Sequence, residues 1–160
     1  MGYVLKATKD ELYNKGFHYN KMYSLEPALK EQIMNCHAFP RFRCGVYIKT
    51  PEKRKRVADE LRKLLEIDIR VEKFINSSDR TEVYFENESS LRVICANDNA
   101  RGQRHNGVIV DGKISCEILR CIILPSIIPR VIIEPTFEPY PYVRETWAEM
   151  QSRILYCDIG

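Results

Sequence analysis

Apolar positions recur along the chain at two spacings, and the switching between them predicts alternating helices and strands. Leu29, Ile33 and Cys36 share one helical face after Ser24 and Pro27, which predicts a helix over residues 25–37. Phe39-Pro40 stops it, and the run from Cys44 to Lys49 has the composition of a buried strand. Thr50-Pro51 supplies a hydroxyl cap and a proline at the first helical position. Val57, Leu61, Leu64 and Leu65 follow at helical spacing, so an amphipathic helix is expected from 51 to about 65. Residues 67–75 alternate loosely as a strand, and 81–86 and 89–95 flank Asn87-Glu88 as a β-hairpin. The continuous apolar run Gly107–Asp111 is typical of a central parallel strand. Further on, 114–124 predicts a helix closed by Pro125, and 130–134 a strand. Pro135, Pro139 and Pro141 imply an extended crossing segment, and Trp147, Met150 and Ile154 share one face of a final helix. A short helix is also expected from Lys9, where Thr8 and Glu11 have capping-box spacing. Strands alternating with helices predict a three-layer α/β fold with a mainly parallel sheet.

A chain of 160 residues, 44% hydrophobic and 29% charged, suits one domain with one substantial core. Its expected parts are a helical N-terminal region (1–40), an α/β core (41–134) and a proline-rich segment with a C-terminal helix (135–160). No apolar run approaches the ~20 residues of a membrane span, and the first residues lack the apolar stretch of a signal peptide. A cytoplasmic protein with no membrane partner is the expectation. The six cysteines lack close C-x2-C pairs, since Cys116 and Cys121 are the tightest, so reduced structural thiols are expected and no metal or cofactor is assigned. His18, His37 and His105 are scattered and show no partner in the sequence.

The net charge of +3 is small, but its distribution is uneven. Nine basic residues fall between Arg41 and Lys63 against Glu52, Asp59 and Glu60. Lys53-Arg54-Lys55-Arg56 lies in the first turns of the expected helix, where positive charge opposes the helix dipole. It is either a solvated face or a contact for an acidic partner, phosphate backbone or acidic protein.

The run Ala96-Asn97-Asp98-Asn99-Ala100-Arg101-Gly102-Gln103-Arg104-His105-Asn106-Gly107-Val108-Ile109-Val110-Asp111 resembles the large terminase subunit of tailed phages. In that family an Arg-Gly loop leads into an apolar strand ending in an acidic Walker B pair. The segment Glu117–Pro125, the turn Val46–Pro51 and the hairpin TEVYFENESSLRVI are similar to neighbouring parts of its ATPase domain. The likeness covers roughly residues 40–130 and implies a truncated RecA-like ATPase core. It also implies where the chemistry has gone. The candidate phosphate loop, Gly16-Phe17-His18-Tyr19-Asn20-Lys21-Met22, keeps Gly16 and Lys21 but has Met22 where a hydroxyl would help hold Mg²⁺. Asp111 stands at the metal-associated aspartate, and the next position, glutamate in the family, is Gly112. Loss of a positioned general base costs roughly 10²–10⁴ in rate. Hydrolysis is therefore not expected, and Asp111 has the alternative role of ordering the turn after it.

The expectation is a non-catalytic phage or prophage protein that binds a host or phage protein or nucleoprotein. Small phage proteins of this kind commonly block a defence nuclease such as a CRISPR effector. Arg101 and Arg104, beside Lys53, Arg54, Lys55 and Arg56, are the candidate contacts with an acidic partner. The alternatives are an ATPase that completes its site with a second chain, needing Lys21 and Asp111, and a nucleic-acid accessory protein using the helix over 51–65.

Overall fold

The computed structural model describes residues 22–129, 131–133, 142–144, 150 and 153–160. In chain order the elements are β1 (Met22–Ser24), α1 (Leu25–Ala38), β2 (Arg43–Ile48), α2 (Lys53–Leu65), β3 (Val71–Asn76), β4 (Thr81–Phe85), β5 (Ser90–Cys95) and β6 (Gly107–Asp111). A helical segment over 116–126, α3, follows, then β7 (Val131–Ile133), β8 (Tyr142–Arg144) and β9 (Ile154–Asp158). Seven strands form one sheet in the order β1-β9-β6-β2-β5-β4-β3. The first five run parallel, whereas β4 and β3 are antiparallel additions at one side. The protein is thus α/β with a mostly parallel sheet. None of its described helices is long and apolar enough to cross a membrane.

Two apolar clusters, one on each face, explain the continuous hydrophobic runs. Alternate residues Cys44, Val46 and Ile48 of β2 pack with Leu29 and Ile33 of α1 and Val57 and Leu61 of α2. Tyr47 faces the other way, with Val108 and Val110 of β6 and with Leu119, Ile122 and Ile123 of α3. A strand covered on both sides has no polar side to show in its sequence. The exposed β3 edge instead carries Glu72 and Lys73, charges that discourage pairing with another chain.

The expected strand at 107–111 is present, and it lies inside the sheet between β2 and β9. The hairpin over 81–95 is present as well. Two expectations are corrected. Ile154 does not end a helix but opens β9, inserted between β1 and β6, and its neighbours Leu155, Tyr156 and Cys157 are all buried. A short apolar run has no decisive period, and strand partners on both sides settled it. Because β1 pairs with β9, the two ends of the described chain meet in one sheet, so 135–160 is not merely a crossing segment with a helix. Trp147, Pro135, Pro139 and Pro141 lie outside the described residues, as does the expected helix from Lys9.

The second correction concerns α3, which passes through Pro125 instead of stopping before it. It is α-helical at Cys116–Ile118, π-helical at Leu119–Ile123 and α-helical again at Leu124–Ser126. Its start is capped by Ser115, whose hydroxyl accepts the Ile118 N–H at 3.3 Å. Leu124 N–H donates to Leu119 C=O, five residues back, and this wider register accommodates a proline that has no N–H to offer. The strand expected at 130–134 is present as β7, which pairs antiparallel with β8 in a separate ribbon.

Candidate functional site

The chain leaves β2 toward α2 on one face of the sheet and leaves β6 toward α3 on the other. β2 and β6 are neighbours, so their carboxyl ends form the kind of crevice where open parallel sheets hold ligands. Asp111 ends β6 there. Its side chain, on the α2 face, is fully buried, and Lys53 Nζ at the start of α2 lies 2.7 Å from Oδ2. The same oxygen accepts the Lys49 N–H at 3.1 Å, and Oδ1 accepts the Lys113 N–H at 3.2 Å. Ile114 N–H adds a bond to the Asp111 carbonyl at 3.0 Å. One carboxylate thus ties the end of β2, the first turn of α2 and the turn after β6 together. Its negative charge also offsets the lysine that opposes the helix dipole.

Gly112, which follows Asp111, lies against β1. A side chain at Gly112 would begin 2.7 Å from Met22 Cε, the far end of a flexible, half-exposed side chain of β1. A phosphate loop follows a strand and opens a helix, yet β1 passes straight into α1 at Ser24–Leu25. Of the candidate loop, only Met22 is among the described residues, in β1. Gly16 and Lys21 lie outside the described residues.

The basic run of α2 divides into different roles. Lys53, left by the sequence as either a solvated position or a contact for an acidic partner, faces an acid of its own chain, and its side chain is only 15% exposed. Lys55 pairs with Asp59 and Arg56 with Glu60, each at 3.1 Å and one helical turn on. Arg54 donates to the Ser78 carbonyl at 3.4 Å.

At the other end of the strands, Arg101 and Arg104 flank Gly102, whose φ of 86° suits glycine in a tight turn. Arg104 lines a cavity with Arg43 of β2 and Arg92 of β5, two residues the sequence reading did not single out. Arg101 lies apart from that cavity, in an adjoining one with Cys121 and Pro125. No known family, curated protein or solved structure matches this chain.

Two histidines acquire partners that their positions in the sequence did not reveal. His37 Nε2 lies 2.7 Å from Asp68 Oδ2, across 31 residues. His105 is buried against Gly45, with Nε2 3.0 Å from the Tyr47 hydroxyl. Tyr47 in turn donates to Ser126, which donates to the Ile123 carbonyl at 2.6 Å. Burial first, then the charges of Arg92 and Arg43, push the His105 imidazole down to about 4. The neutral ring therefore serves the packing. The cysteines Cys36, Cys44 and Cys157 are buried too, and burial pushes the Cys36 and Cys157 thiols up to about 12.

Proposed function

We propose that this protein is a non-catalytic binding protein on a terminase-like, RecA-like ATPase scaffold, and that it acts by occupying a host or phage protein or nucleoprotein. The observation that carries this reading is the Lys53–Asp111 pair. In a P-loop ATPase the Walker B aspartate serves the metal and phosphates, whereas here its carboxylate is fully buried and engaged by a lysine and two backbone N–H groups. Gly112 in place of the glutamate and the direct β1–α1 junction support the same conclusion. A scaffold without its chemistry persists through what its surface contacts. A defence nuclease in the host cytoplasm, such as a CRISPR effector, is the partner class we favour.

The test has two parts. Purified chain with Mg·ATP, alone or with double-stranded DNA, should release phosphate no faster than buffer. Added to a reconstituted CRISPR effector, it should slow target cleavage. ATP turnover that Asp111→Asn abolishes overturns the reading.

A further inference from the structure

The cavity at the amino ends of β2 and β5 has a volume of about 400 Å³, and Arg43, Arg92, Arg104, Ser90, Gln103 and Tyr84 line it. It lies five residues along β2 from the carboxyl end, roughly 16 Å at about 3.3 Å per residue. It is thus independent of the nucleotide position discussed above. Its polarity follows from the pleat. Leu91 and Val93 of β5 and Val83 and Phe85 of β4 enter the α1–α2 core, so the alternating Ser90, Arg92, Glu82 and Tyr84 turn to the opposite face.

Of the two carboxylates nearby, Glu82 is fully engaged. Glu82 takes Arg80 at 2.8 Å, the Tyr84 hydroxyl at 2.6 Å and Arg92 Nε at 3.4 Å. Glu88 also lines the cavity, and its exposed carboxylate lies 3.8 Å from Arg41 Nε. Arg92 reaches Gln103 only at 3.5 Å. Among the described residues, no hydrogen bond or ion pair holds the guanidinium of Arg43 or Arg104. Arginine stays protonated at physiological pH, so each of these guanidinium groups carries a positive charge.

The arrangement is also held in place before any ligand arrives. Asn106 accepts the Arg43 N–H at 2.9 Å and returns its own N–H to the Arg43 carbonyl at 2.8 Å. His105 N–H donates to Ser126, and Ile128 N–H to the His105 carbonyl, each at 2.8 Å. The backbone that follows Arg104 is therefore anchored beside β2. One guanidinium satisfies a carboxylate with its two-pronged fork, whereas several reaching in from separate elements suit the tetrahedral oxygens of a phosphate. The volume exceeds a bare phosphate and lies in the range of small-ligand pockets, with the Tyr84 ring as a wall for a base.

We propose that Arg43, Arg92 and Arg104 form a pocket for a phosphate-bearing nucleotide unit, either free or within a single strand. The full chain, isotopically labelled, is titrated at low salt with inorganic phosphate, a nucleoside 5′-monophosphate and a short single-stranded oligonucleotide. The nucleotide-bearing probes should shift the backbone amides of Arg43, Arg92 and Arg104. The tighter of monophosphate and oligonucleotide identifies the source, and either supports the pocket. Arg43→Glu with Arg104→Glu should weaken binding roughly tenfold or more while leaving the urea midpoint in place. If that pair fails to fold, Arg104→Gln alone, in an exposed loop, should weaken binding in the same direction. Lys55→Glu, on the far helix, should leave it unchanged. The proposal is overturned if neither nucleotide-bearing probe binds, if the arginine variants bind equally well, or if Lys55→Glu abolishes binding instead. A glutamate-rich peptide that binds as tightly as the nucleotides also overturns it.

Discussion

The two ends of the parallel strands treat their charges in opposite ways. At the carboxyl end a buried carboxylate and a nearly buried ammonium meet at 2.7 Å, and backbone N–H groups take up the remaining acceptor sites. At the amino end Arg43 and Arg104 are exposed, and no acid of the described chain pairs with their guanidinium groups. A buried ion pair with its hydrogen bonds complete has nothing left for a ligand, and its loss is costly. Exposed arginines on a fixed frame contribute little to folding and remain available. The difference teaches that charge alone does not mark a site. What matters is whether the fold has already answered it.

The largest expected effect comes from breaking the answered end. Lys53→Met leaves the Asp111 carboxylate buried without its cation and should cost about 3–5 kcal/mol in urea unfolding. Adding Asp111→Asn should recover part of that loss, so the double variant falls short of the sum of the singles. Additive effects would mean the pair is not coupled, and the contrast between the two ends would weaken.

Acidification should come next. His105 has a folded value near 4 against an ordinary 6.5, so between those values the unfolded chain binds more protons. Stability is then complete above pH 6.5 and falls as pH drops toward 4, by roughly 3 kcal/mol if the full shift is expressed. His105→Gln should flatten that limb. Glu82, held down to about 2 by its Arg80 hydrogen bond, with Tyr84 and Arg92 adding to it, loses its contribution only at lower pH. The two limbs are therefore separable by denaturant unfolding at stepped pH.

Smaller effects sharpen the picture. Gly45→Ala would place a Cβ 2.6 Å from His105 Nε2, and moving a buried ring should cost about 1–3 kcal/mol. Lys55→Ala removes an ion pair whose lysine side chain is 85% exposed. It should change stability by no more than about 0.5 kcal/mol, measured in the same urea series.

Much of the sheet was legible in the sequence because buried parallel strands and amphipathic helices leave strong patterns. Gly107–Asp111, the helix carrying Val57 and Leu61, and the hairpin around Asn87 are examples. β9 was not legible. Ile154–Cys157 is apolar at every position, and only its neighbours β1 and β6, far away in the chain, make it a strand. The turn-ordering role of Asp111 was open to sequence reasoning, but its lysine partner was not, since 58 residues separate them. The same holds for the basic cavity. Arg43 and Arg92 each look like an ordinary strand residue until parallel pairing brings their strands together and Asn106 ties the Arg104 loop to β2.

The central claim is that Lys53 and the backbone N–H groups of Lys49 and Lys113 already occupy the Asp111 carboxylate. The most direct measurement follows the backbone amides of Lys49 and Lys113, the two that bond to Asp111, as Mg·ATP is added to the labelled protein. These amides report on the carboxyl end alone, so nucleotide held at the arginine pocket cannot imitate the result. They should not move at millimolar nucleotide. A saturable, magnesium-dependent shift of both would contradict the account.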